Sequence, residues 1–172
     1  MKTCLVGCGG IAAVHGSVLT SGIDTEFVAA ADIKPEKAQS YAENFHTKPY
    51  PSLESMLDAE KPDVLHICTP HYLHVPMTIY ALERNINVFM EKPPAISFDQ
   101  LEELKKAAAK SDAQLGFCYQ NRYNASIRAA KDLIDSGKAG KVLGARAFVT
   151  WCRGAAYYTE SGWRGSLKTE GG

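Results

Sequence analysis

Three things are scarce in this sequence, and each scarcity removes a class of function. Long apolar runs are missing: nothing approaches the roughly 18 residues of a membrane-spanning helix, and the first apolar stretch, Cys4 to Val6, runs into glycines instead of a cleavage site. An excess of charge of one sign is missing too. Nineteen Lys and Arg balance nineteen Asp and Glu, so there is no broad positive field to hold a nucleic-acid backbone or an anionic membrane surface. The partners expected are small molecules or other proteins. Paired cysteines are the third absence. The five cysteines, at 4, 8, 68, 118 and 152, are odd in number and form none of the close doublets of a zinc site. No metal site is expected, and a reducing cytoplasm fits. Cys4, Cys68 and Cys118 sit in apolar runs, where a thiol acts as a small buried hydrophobe. Internal repeats, low-complexity tracts and charged tails are also lacking.

What is present is alternation. With 172 residues and 45% hydrophobic content the chain can build one full core plus a small appendage. Short apolar runs alternate with stretches of helical period, the pattern of an α/β protein whose parallel sheet is covered on both faces. Strands are expected at Lys2 to Val6, Glu26 to Ala31, Lys48 to Tyr50, Val64 to Cys68, Ile86 to Met90 and Gln114 to Cys118. Helices are expected from about Ile11 to Leu19, Pro35 to Phe45, Ser52 to Leu57, Leu73 to Arg84, Ser97 to Lys110 and Asn124 to Ser136. Local chemistry sets many of these ends. Pro35 can open a helix because its missing amide costs nothing there. Thr69-Pro70 stops a strand because proline has no hydrogen to give the ladder, and Ser97 with Gln100 forms a capping box. Past residue 140 the pattern changes. From Val142 to Cys152, residues Leu143, Ala145, Ala147, Val149 and Trp151 alternate with Arg146 and Thr150, which reads as a long strand of a second, one-sided sheet. The architecture expected is a Rossmann doubly wound parallel sheet over residues 1–120, with an incomplete second α/β domain over 121–172.

Gly7, Gly9 and Ala12 match G-x-G-x-x-G/A directly after the first strand and at the head of a helix. Gly7 permits a tight turn, Gly9 lets the backbone approach a pyrophosphate, and Ala12 is small enough for helix and strand to pack closely. Gly10 and Ile11 follow at the helix start, where unpaired amides and the helix dipole favour an anion. A glycine-rich turn without ligand is the plainer alternative. Asp32 ends the second strand twenty residues after Ala12, where an acid that bonds the adenosine ribose belongs. Such a carboxylate would repel a 2′-phosphate, and Ile33 is not the arginine that would welcome one. NAD is therefore expected over NADP, with Lys34 leaving NADP open. The same acid could serve only as a cap for the Pro35 helix.

Several ordered motifs together resemble the Gfo/Idh/MocA family of oxidoreductases: GCGGIAAVH at 7–15, AADIKPEKA at 30–38, ICTPHYLH at 67–74, EKPPA at 91–95, YQNRYN at 119–124 and WRGS at 163–166. The resemblance implies an NAD(P)-binding domain joined to an α/β substrate domain, and hydride transfer at a carbinol carbon of a sugar, inositol or related polyol. It puts Lys92 at the junction of nicotinamide and substrate as the catalytic candidate, where an ammonium can polarise the reacting oxygen. Glu91 would orient the nicotinamide ribose or Lys92 itself. Thr69, Pro70 and His71, with His74, would line the cofactor. Gln120 and Arg122 would lie near the hinge between domains, and Trp163 and Arg164 would approach the nicotinamide end. His15 and His66 read as packed side chains and His46 as surface.

By the same resemblance, the family's catalytic histidine belongs to a helix beyond Glu170-Gly171-Gly172. The expectation is a truncated chain that binds dinucleotide with little or no turnover. The strand from Val142 to Cys152, left without neighbours, is expected to pair with its copy in a homo-oligomer or else to be disordered. Two other functions stay open: a non-catalytic dinucleotide-binding or assembly module, and a related enzyme that cleaves glycosides through a transient ketone.

Overall fold

In a computed structural model, which describes residues 1–22 and 24–171, the chain divides into two compact units. The first runs from Met1 to Cys118 and takes in the segment from Trp163 onward; the second is Tyr119–Gly162.

The first unit is built on strands β1 (Lys2–Val6), β2 (Glu26–Ala31), β3 (Lys48–Tyr50), β4 (Val64–Ile67), β5 (Asn87–Glu91) and β6 (Leu115–Cys118). They lie in the order β3-β2-β1-β4-β5-β6, every neighbouring pair parallel. Helices α1 (Gly10–Leu19), α2 (Pro35–Phe45), α3 (Leu53–Glu60), α4 (His74–Leu82) and α5 (Phe98–Ala108) connect them. This is the α/β Rossmann architecture expected, and its strand order reverses between β1 and β4. The C-terminal ends of those strands diverge there into a crevice.

Side chains alternate across each strand and so split the core in two. Cys4, Val6, Ala29, Ala31, Leu65, Ile67, Val88 and Met90 pack with Leu53, Met56 and Leu57 of α3, Val75, Ala81 and Leu82 of α4, and Leu104 of α5. Leu5, Ala30 and Cys68 point the other way and meet Ala12 of α1 and Tyr41 of α2. Burial pushes the Cys4 thiol up to about 12, and the Cys68 thiol higher still, as befits side chains that serve as apolar filler.

Element ends follow local chemistry. The Ser52 and Ser97 hydroxyls accept the amides of Ser55 and Gln100, capping α3 and α5. The chain leaves α2 at His46 and α3 at Lys61, both left-handed. A 3₁₀ turn, His71–Leu73, precedes α4, which begins at His74 and ends at Leu82, within the bounds expected. No helix among the described residues is long and apolar enough to cross a membrane.

The second unit holds a 3₁₀ turn, Gln120–Tyr123, then α6 (Ala125–Asp135), closed by Gly137 at φ +73, and α7 (Ala155–Thr159). Here one expectation fails. The stretch 142–152, read from its alternation as a long strand, forms no strand within the chain. Alternation sets which side of a strand is apolar, but a strand exists only where a neighbour supplies the ladder hydrogen bonds. Without one, Leu143 is 90% exposed and Trp151 70% exposed.

Candidate functional site

The glycine loop sits at the strand-order reversal because β1 ends at Val6 and α1 begins at Gly10. Gly7 turns the chain at φ +92, and a Cβ there would lie 2.8 Å from the backbone of Cys68 and Thr69 at the end of β4. Only glycine allows that approach. Gly9 and Gly10 are different: a Cβ at either meets nothing within 4 Å. Both face open space. The Ala12 amide bonds the Gly9 carbonyl, whereas those of Gly9, Gly10 and Ile11 have no hydrogen-bond partner among the described residues. Three unpaired amides at a helix start, beside an open surface, fit an anionic group such as a pyrophosphate.

Asp32, directly after β2, is tied to this loop. Its Oδ2 accepts the Cys8 amide at 2.9 Å and its Oδ1 the Lys34 amide at 2.9 Å. The carboxylate is thus held beside the glycine turn, with acceptor capacity left on both oxygens. Exposed Ile33 offers no positive charge next to it. Ala12 and Gly16 keep α1 close to its neighbours: the Tyr41 hydroxyl donates to the Ala12 carbonyl at 2.7 Å, and a Cβ on Gly16 would lie 2.6 Å from that hydroxyl.

On the β4 side of the crevice, the Thr69 hydroxyl is buried with no hydrogen-bond partner among the described residues. An orphaned buried hydroxyl is costly unless a ligand uses it. His74, fully buried, bridges two loops: its Nδ1 lies 2.8 Å from the Pro93 carbonyl and its Nε2 3.0 Å from the Thr69 carbonyl. Burial drives its pKa below the ordinary imidazole value, against the pull of those two carbonyls. His71 faces the returning segment, with Nδ1 2.9 Å from the Glu170 carbonyl and its ring 4.6 Å from that of Trp163. The Arg164 guanidinium stands 4.8 Å from the Trp163 ring.

At the end of β5, Glu91 is buried and Lys92 exposed, and the Lys92–Pro93 peptide is cis. Glu91 Oε1 lies 3.1 Å from His15 Nε2, while Oε2 accepts the Lys92 amide at 3.2 Å. Burial opposes the Glu91 charge, but hydrogen bonds from His15, Cys118 and the Lys92 amide prevail and hold its pKa below the ordinary carboxylate value. His15 also meets His66, Nδ1 to Nδ1 at 2.9 Å.

Gly7, Gly9, Gly10, Ile11, Ala12, Asp32, Thr69, Pro70, His71, His74, Glu91, Lys92, Trp163 and Arg164 therefore all lie in the first unit. Gln120 and Arg122 lie in the exposed 3₁₀ turn of the second. What the motifs alone did not give is the link from His15 to Glu91. One signal for it exists in the sequence. Ala12, His15, Gly16 and Leu19 form the buried stripe of α1, so His15 is a polar residue on an apolar face that must find a partner.

A strand order of 3-2-1-4-5-6 with a glycine turn and an acid at its reversal defines a dinucleotide-binding protein of the Rossmann class. Residues 1–119 match the Gfo/Idh/MocA oxidoreductase family, NAD-binding Rossmann fold, and the chain belongs to that family. It is 29% identical to the D-glucoside 3-dehydrogenase of Escherichia coli (strain K12) over 95% of this chain and 46% of that protein. It is 28% identical to the glucose-6-phosphate 3-dehydrogenase of Bacillus subtilis (strain 168), over 83% and 40%. Among solved structures, the WlbA dehydrogenase of Bordetella pertussis in complex with NADH and UDP-GlcNAcA shares 30% identity with a TM-score of 0.90, covering 99% of this chain and 53% of that one. Myo-inositol 2-dehydrogenase from Lactobacillus plantarum shares 28%, with a TM-score of 0.77 over 83% and 43%. The chain spans about half the length of these relatives.

Proposed function

We propose that these residues form the cofactor-binding half of an oxidoreductase that moves a hydride between a carbinol carbon of a sugar, inositol or related polyol and nicotinamide, with NAD preferred over NADP. The observation that carries this reading is the juxtaposition at the strand-order reversal: unpaired amides of Gly9, Gly10 and Ile11 facing open space, with the Asp32 carboxylate fastened to the same loop. The amides suit a pyrophosphate and the carboxylate suits two ribose hydroxyls, whereas a 2′-phosphate would meet like charge and no cation at Ile33. The Thr69 hydroxyl, orphaned at the crevice wall, suits the same ligand. Nicotinamide supplies the hydride chemistry when bound.

The protein's own part is to hold, orient and stabilise charge. Lys92 leaves β5 at the C-terminal edge of the sheet, the side on which ligands of open α/β sheets bind. An ammonium there stabilises oxyanion character on the oxygen of the reacting carbon. The substrate class is supported by the relatives, whose names are those of sugar and inositol dehydrogenases.

A titration of NADH and NADPH followed by nicotinamide fluorescence tests the reading. NADH should bind the unaltered chain more tightly than NADPH, and Asp32→Ala should lose about tenfold or more of NADH affinity while narrowing the preference. Equal affinity for both cofactors in both proteins would remove the case for NAD.

A further inference from the structure

The sheet face under α1 buries a chain of polar groups that the proposed cofactor site does not use directly. His66 of β4 stands in register with Leu5 of β1 and Phe89 of β5, so it points to the same side as α1. There it packs edge-on against His15, ring centroids 5.2 Å apart, and at the same centroid distance from Phe89. His15 in turn reaches Glu91, and the far oxygen of Glu91 takes the amide of Lys92.

Hydrogen-bond valence fixes the proton that faces Glu91. An ionised carboxylate only accepts, so His15 Nε2 carries the hydrogen that faces Glu91 Oε1. The 2.9 Å contact between the two Nδ1 atoms takes one further hydrogen and ties the His15 ring to His66. Burial, and after it the coulombic influence of His15, pulls His66 down to about 4, so it is neutral, and the donors around Glu91 keep that group charged. Atoms of His15, Glu91 and Cys118 come within 4.8 Å of one another, a spacing that could suit a metal ion. Yet Glu91 already accepts from His15 and from Cys118. The cluster is complete as a relay of hydrogen bonds.

From this geometry we infer that His15 is a positioning residue: its Nε2–H, oriented by His66, clamps the Glu91 carboxylate and through it the backbone from which Lys92 projects. The inference rests on the reading that Lys92 serves the nicotinamide end of the cofactor. The glycine loop opens α1 and His15 lies on the same helix, so one element carries both the pyrophosphate cradle and the group that fixes the strand end across the crevice.

Two measurements test it. In long-range ¹⁵N spectra of the unaltered chain at neutral pH, His15 should carry a hydrogen on Nε2 and His66 should be neutral. A His15 Nε2 without its hydrogen would overturn the inference. The second compares NADH with ADP-ribose, which has the adenosine and pyrophosphate but no nicotinamide. His15→Leu should leave ADP-ribose affinity within about twofold and lower the NADH affinity relative to it by about fivefold; His15→Gln, which keeps an N–H near the Nε2 position, should restore most of the ratio. Equal loss of both ligands, or no recovery with glutamine, would mean that His15 is only core packing. Lys92→Ala separates the two levels of argument. If it leaves the ratio unchanged, the assignment of Lys92 to the nicotinamide end fails; if it lowers the ratio while His15→Leu does not, only the role of His15 fails. Should His15→Leu not fold, the ring-nitrogen measurement on the unaltered chain still decides.

Discussion

Gly7 and Gly9 stand two residues apart in one loop, and alanine at each should do opposite things. At Gly9 the backbone is extended, φ −88 and ψ −170, and a Cβ meets nothing within 4 Å. Replacing glycine by alanine at a compatible backbone stabilises by about 0.4–1 kcal/mol through the unfolded chain. Gly9 is also the N-cap of α1, where alanine is worse than glycine by a comparable amount, on the order of 0.5–1 kcal/mol. The two nearly cancel, so Gly9→Ala should melt within about 3 °C of the unaltered protein. If a pyrophosphate occupies that open space, however, the added methyl stands where phosphate oxygens belong, and NADH affinity should fall at least about tenfold, 1.4 kcal/mol.

Gly7→Ala faces φ +92 and a Cβ 2.8 Å from the backbone of Cys68 and Thr69. The left-handed conformation costs roughly 1–2 kcal/mol, and crowding against a strand end that cannot swing away adds about 1–3 kcal/mol. Its melting temperature should drop by on the order of 10 °C. Differential scanning fluorimetry paired with nicotinamide fluorescence separates the two variants. Gly9→Ala binding NADH as the unaltered chain does, at unchanged melting temperature, would refute the phosphate cradle.

Away from the crevice, Glu60 at the end of α3 is buried among Lys2, Lys48 and the Tyr50 hydroxyl, which donates to it at 2.6 Å. Those hydrogen bonds hold its carboxyl down to about 2, and the tyrosine is pushed up to about 12. A folded-state pKa below the ordinary 4.5 means stability that is present above that value and lost as pH falls from it toward 2. With Lys48 largely exposed, screening trims the gain to about 1–3 kcal/mol. Urea unfolding of the unaltered protein and Glu60→Gln should differ by that much near neutrality and converge in acid; a gap that persists at pH 2 would contradict the account. Ser97→Ala, which removes the cap on the Gln100 amide, should cost about 1 kcal/mol by the same measurement, and no loss would mean that α5 is fixed by packing alone.

The sequence by itself determined the elements whose causes are local. Strands such as β1 and β4 are short apolar runs, Ser52 and Ser97 cap helices through residues three positions away, and the G-x-G-x-x-A turn is contiguous. Alternation of strands and helices then leaves few topologies for the sheet. Tertiary structure decided whatever depends on groups brought together from afar. Asp32 takes the Cys8 amide from 24 residues away, and His15 reaches Glu91 across 76; spacing marks Asp32 as the acid of the glycine loop without giving its bond to Cys8, and no spacing rule connects His15 with Glu91. The stretch 142–152 shows the same limit from the other side. Its alternation is that of a strand, but every ladder hydrogen bond of a strand is made with a neighbour, and pattern without a neighbour makes none. Propensity and caps act within one turn of helix or one tight loop, and so can be read along the chain. The partners of a buried carboxylate or an unpaired ladder are set only when the chain has folded back on itself.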